Sequence, residues 1–122
     1  LIVGFVLLAG LSTLAIGGWA FLMPRSFAQF IGFPPYNQHL LHDLGAFQIG
    51  IGATLLLALL WNDALAVALA GFAVGGGLHT ASHIVDRGLG GHSFDSWALG
   101  ALAVVAAIAL VIRLRQLSRA SR

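Results

Sequence analysis

Residues 1–23 read LIVGFVLLAGLSTLAIGGWAFLM and contain no charged side chain. As a helix rising 1.5 Å per residue, this run is long enough to cross the roughly 30 Å of hydrocarbon in a bilayer. It exceeds the apolar region of a signal peptide, and no small-x-small cleavage site precedes Pro24, so a true span is expected. Pro24 ends or kinks it. Working outward, three further apolar runs cover residues 38–60, 64–85 and 97–112. The whole chain agrees: 59% of its 122 residues are hydrophobic and 8% charged, against about 25% charged in an ordinary soluble domain. Four spans of this length use most of the sequence, which leaves a single domain. The expected fold is all-α, an integral membrane four-helix bundle with up-down-up-down order and spans at about 1–23, 38–60, 64–85 and 97–112.

The connections follow from turn and charge signals. Residues 24–37, PRSFAQFIGFPPYN, place Phe27, Phe30, Ile31 and Phe33 where a short amphipathic turn could lie on the membrane surface. Pro34 and Pro35 stop any helix, and Tyr36 is a typical interface anchor, as are Trp19, Trp61 and Trp97 near span ends. Asn62 and Asp63 make a turn so short that the second and third spans should be antiparallel neighbours. Residues 86–96, DRGLGGHSFDS, form a glycine-rich loop in which Asp95 or Ser96 can cap the fourth span. Arg113, Arg115, Arg119 and Arg122 follow that span directly. By the positive-inside rule they place the C-terminus in the cytoplasm, and four crossings place the N-terminus there too.

Composition also removes several functions. The chain lacks cysteine, so disulfides, thiolate metal sites, iron–sulfur clusters and cysteine nucleophiles are excluded. Its net charge of +2 comes without any lysine and with four of six arginines after the last span. That distribution is a topology signal rather than a nucleic-acid surface. The three glycines at 75–77 lie inside a span with no lysine after them, so they are no phosphate loop.

All five histidines fall on the outward side of this topology. His39, His42 and Asp43 open the second span, His79, His83 and Asp86 close the third, and His92 sits in the loop that follows. Steps of three and four put Gly71, Gly75, His79, His83 and Asp86 on one helical face, and His39, Asp43, Ala46 and Gly50 on another. Gly71 and Gly75 form a small-xxx-small pair suited to close helix approach, so both polar stripes are expected to face inward. Gln48 should lie on the opposite face of the second span, hydrogen-bonded to the first or fourth.

Imidazoles at i and i+4 beside a carboxylate are competent ligands for zinc, copper or iron, which makes His39, His42, Asp43, His79, His83 and Asp86 the candidate metal set. A bis-histidine haem b between the two helices is a second reading, and a proton or substrate path a third. Histidines that merely hydrogen-bond between helices are the structural alternative.

The stretch YNQHLLHDLGAFQIGIGATLLLAL, the preceding FxxFxGF connector and the LHTASHIVD segment together resemble small four-helix bacterial membrane proteins of the DoxX-like kind. That resemblance implies a bundle in the inner membrane, accessory to a redox or quinone-linked partner. It carries no catalytic residues onto this sequence. The expected function is therefore an accessory or assembly subunit that meets other membrane subunits through apolar faces and carries a metal at the His/Asp cluster. A stand-alone metal-dependent membrane protein and a haem b electron carrier are the alternatives.

Overall fold

The computed structural model describes residues 1–61 and 64–120. It is all-helical: α1 Ile2–Leu22, α2 Pro24–Ile31, α3 Gln38–Leu57, α4 Ala64–Val85 and α5 Asp95–Ala120. The helices α1, α3, α4 and α5 are long and apolar enough to cross a membrane, and they mark a multi-pass membrane protein. The turn expected at Asn62 and Asp63 lies outside the described residues, as does Arg122.

Three boundaries differ from expectation. The connector after α1 is a true helix, because Pro24 occupies its first turn, where a missing N–H costs nothing, and Gly32 closes it at φ 67°. Its apolar face is tied to α1: the Trp19 indole N–H donates to Ser26 Oγ at 3.3 Å, and Phe27 meets the Trp19 ring edge-on at 5.4 Å. The helix α3 stops at Leu57, three residues early, where Leu59 and Leu60 turn to i−3 carbonyls. In contrast, α5 runs past the end of its apolar stretch to Ala120. Hydropathy ends at Arg113, but arginine, leucine and glutamine are good helix formers, and cations suit a helix C-terminus.

Glycine decides which helices pair. A Cβ added at Gly45 would lie 2.7 Å from the Gly17 carbonyl oxygen, and one at Gly52 would lie 2.8 Å from that of Gly10. On each helix the two glycines are seven residues apart, and their order reverses between helices. The backbones of α1 and α3 therefore touch along an antiparallel seam. The pair α4 and α5 meets through Gly76 against Ala103 and Gly100 against Thr80. Accordingly α3 packs chiefly on α1 and α4 chiefly on α5, while α3 and α4 scarcely touch. This corrects the expectation of close neighbours across the turn. It also overturns close packing at the two stripes: a Cβ at Gly50, Gly71 or Gly75 would meet nothing within 4 Å, and Gly71, Gly75 and His79 border the cleft between the helix pairs rather than a neighbouring helix.

The two helix pairs join at both ends. At one end Val6, Ala9, Leu55, Ala58, Leu65, Leu69 and Ala109 form the main core. At the other, the Gly91 N–H donates to the Gly32 carbonyl at 3.2 Å. Between these joints lies a cleft of about 740 Å³ bordered by all four long helices.

Backbone contact at the glycine seam makes a direct prediction. Gly17→Ala and Gly45→Ala should each cost about 1–3 kcal/mol through overpacking, whereas Gly50→Ala adds the same methyl group into open space and should leave stability unchanged or slightly raised. Thermal unfolding in detergent, followed by circular dichroism, reads the difference; equal effects at all three positions would contradict the seam.

Candidate functional site

The α3 N-terminus is fixed by Asn37, whose side-chain oxygen accepts the Leu40 N–H at 3.1 Å. Asparagine at this position satisfies a backbone donor that the helix cannot. Rotation of α3 is then set by Leu41, Gly45, Gly52 and Leu55, which are buried. The face carrying His39, Asp43, Ala46 and Gly50 consequently points away from the packed side. His39 Nε2 lies 3.5 Å from Asp43 Oδ2, with the two side chains 88% and 54% exposed. An open i,i+4 pair of this sort contributes little. His42 is turned toward α1 instead, its ring 5.2 Å from that of Phe21.

The α4 histidines have different company. His79 Nε2 and His83 Nε2 are 3.2 Å apart, so one nitrogen donates and the other accepts, or both lone pairs face a shared cation. Phe33, just beyond α2, meets the His83 ring edge-on at 5.7 Å. Behind His83 stands Asp95, whose Oδ2 is 3.9 Å from His83 Nδ1 and 3.7 Å from His92 Nδ1. The same oxygen accepts the His92 backbone N–H at 2.8 Å. One carboxylate oxygen thus gathers the end of α4, the loop and the start of α5. The expectation that Asp95 or Ser96 would cap α5 is not met: both lie inside the helix, which begins at Asp95, and the Asp95 carboxylate reaches back to the loop instead.

A glycine clasp holds this arrangement together. Gly90 and Gly91 adopt φ 142° and 82°, conformations that favour glycine. A Cβ at Gly91 would lie 2.6 Å from the Phe33 ring, so the loop presses directly on the connector. The Phe30 ring lies tilted against that of His92, their centroids 5.8 Å apart.

The six residues expected as one metal set are therefore divided. His79 and His83 come together; His39 and Asp43 pair on a separate face; His42 packs on Phe21. Asp86 forms no ion pair among the described residues, and its expected place is taken by Asp95. Among the described residues no three histidine, aspartate, glutamate or cysteine side chains converge closely enough to hold a metal ion alone. The α3 imidazoles do not turn toward those of α4, as haem ligation between the helices would require. The part of Asp95 and His92 was hidden because it depends on the path of a glycine-rich loop, whose conformation no periodicity encodes. Serine chemistry has no support either, since the Ser82 hydroxyl donates to the His79 carbonyl at 2.8 Å.

Gln48 also departs from expectation. Its Cβ packs at Gly17 of α1, yet its amide makes no hydrogen bond among the described residues and lines the cleft.

Asp95→Ala should free the loop while sparing the glycine seam. Amide hydrogen exchange in residues 88–94 is expected to rise and the melting temperature to fall by a few degrees, the loss of one charge-assisted hydrogen bond in a partly open setting. Asp95→Asn, which keeps an acceptor, should restore most of the protection; unaltered exchange in Asp95→Ala would remove the carboxylate from this role. Compared with known proteins, the chain matches no protein-family model, no curated protein and no solved structure.

Proposed function

We propose that this chain is an accessory or assembly subunit of a larger complex in a bacterial plasma membrane. In this reading it crosses the bilayer four times with both termini in the cytoplasm, and His79 and His83 hold a divalent metal ion at the outer surface. The observation that carries the reading is the 3.2 Å separation of the two Nε2 atoms. Two imidazoles bound tetrahedrally to one ion at about 2.0–2.1 Å would stand about 3.3 Å apart, so little movement is needed to ligate. Asp95 Oδ2 stands 3.9 Å from His83 Nδ1, from where a small approach would give the carboxylate–imidazole hydrogen bond that commonly orients a metal ligand.

Two protein ligands are fewer than the three or four of a self-sufficient zinc site. The remaining positions are left for water or for a group from a partner, which is why the metal and the accessory role belong together. Nitrogen donors without thiolate favour zinc, copper(II) or iron over cuprous copper. The resemblance to DoxX-like proteins points to the same accessory class. Topology rests on Arg113, Arg115 and Arg119 after the apolar part of α5, set against single arginines at Arg25 and Arg87.

Elemental analysis of the purified protein is expected to find close to one zinc, copper or iron per chain, lost in His79→Ala and in His83→Ala and retained in His39→Ala. A partner should copurify stoichiometrically and weaken with the same two substitutions. Metal content indifferent to His79 and His83 would overturn the site, and a chain that purifies without any stoichiometric companion would overturn the accessory role. A fluorescent reporter that matures only in the cytoplasm should light up when fused after Ala120 and stay dark when inserted at Leu89; the reverse pattern would invert the topology.

A further inference from the structure

The cleft between the helix pairs has a lining of unusual chemistry. No aspartate, glutamate, lysine or arginine contributes to it, and its walls are mostly apolar, with Leu55, Phe72 and Leu102 among them. Ser12, Thr13, Gln48, Thr54 and His79 interrupt those walls, with Thr13 near the middle of α1 and Gln48 near the middle of α3. The hydroxyls of Ser12 and Thr54 are spent on carbonyls of their own helices. Thr13 and Gln48 make no such bond among the described residues. Their positions on the antiparallel seam, where Gly17 meets Gly45 and Gly10 meets Gly52, put them at nearly the same depth.

An amide in the apolar centre of a bilayer without a hydrogen-bond partner is costly. The acyl chain of a phospholipid cannot supply one, because its headgroup sits at the interface, about 15 Å from the midplane, and only methylene groups reach so deep. A charged molecule would find no carboxylate, lysine or arginine in the lining to pair with. On the α4 side, Gly71 and Gly75 border the same cleft, and the lack of any atom within 4 Å of a Cβ there leaves width for a chain of carbons. A volume of about 740 Å³ falls within the range of small-molecule sites.

We infer that the cleft binds a neutral, membrane-soluble amphiphile with a single hydroxyl or carbonyl head, which hydrogen-bonds to Gln48 and Thr13 while its hydrocarbon body lies between the helix pairs. This inference rests on the membrane-spanning reading but not on the metal. The residues that bind the head, Thr13 and Gln48, are separate from His83 and Asp95, while His79 lines the same cleft.

The test uses the full chain in phosphatidylcholine nanodiscs, with oleyl alcohol as probe and octadecene, the same length of hydrocarbon without a hydroxyl, as its control. Native mass spectrometry should show one saturably bound oleyl alcohol per chain and at least about tenfold weaker retention of octadecene, the effect of losing the head's hydrogen bonds. Gln48→Leu, close in size but unable to hydrogen-bond, should bring the alcohol down to the level of the hydrocarbon. Gly71→Leu with Gly75→Leu should block both, since the new side chains enter the cleft without meeting backbone. Equal retention of alcohol and hydrocarbon, uptake unaffected by either variant, or binding of phosphatidylcholine alone would each overturn the inference. So would exclusion of the alcohol by a copurified protein helix cross-linked to residue 71 or 75. Metal content measured on the same samples separates this failure from failure of the histidine site.

Discussion

Contact between the backbones of α1 and α3 is the constraint from which the rest of the arrangement follows. In a lipid environment apolar side chains gain little by leaving their surroundings, so helices associate where shape permits close van der Waals contact. Gly10, Gly17, Gly45 and Gly52 provide such a place, and two pairs seven residues apart on opposing helices fix both register and direction. Once α3 is committed to α1, its histidine-bearing face cannot also turn toward α4. Separation of the histidines into two groups is thus a consequence of glycine placement.

The second organising element is electrostatic and local. Asp95 is in contact with both the His83 and His92 imidazoles and with a backbone amide, and it sits where the loop, α4 and α5 converge. Only 17% of the His83 side chain and 22% of that of Asp95 are exposed, so this grouping is screened less than the open His39–Asp43 pair. Phe33 and the glycines at 90 and 91 complete the enclosure from the connector side. A rigid seam at one helix pair and a clasp at the loop leave the middle of the bundle as the least constrained region.

Much of this was legible in the sequence, and the boundary of legibility has physical reasons. Hydropathy found all four long helices, because the bilayer imposes a minimum length that few other structures need. The third span was placed to the residue, since the Asn62–Asp63 turn signal before it and the glycine-rich loop after it bracket the helix. Helix partners were misjudged because the short Asn62–Asp63 turn suggested close neighbours and Gly71 and Gly75, four apart, offered a small-residue face, whereas the true seam uses glycines seven apart on α1 and α3. A spacing of four on one helix says that a close approach is possible; only matching glycines on a second helix, as at Gly45 and Gly52, say where it occurs. The histidine pair on α4 was readable from its i,i+4 spacing. Its carboxylate companion was not, because Asp95 reaches His83 only through a loop whose glycines take up backbone angles that leave no periodic trace.

The length of α5 has a consequence of its own. Twenty-six residues make a rod of about 39 Å, longer than the hydrocarbon it has to traverse. Only residues 97–112 of that rod, about 24 Å, are apolar, so the hydrocarbon takes up the whole apolar stretch and the polar last turns project beyond it. Arg113, Arg115 and Arg119 act as a stop, because each would have to leave anionic headgroups and water to move inward. Vertical registration of the α4–α5 pair, and with it the depth at which Asp95 and the α4 imidazoles meet the opposite surface, is thereby governed from the far end of the molecule.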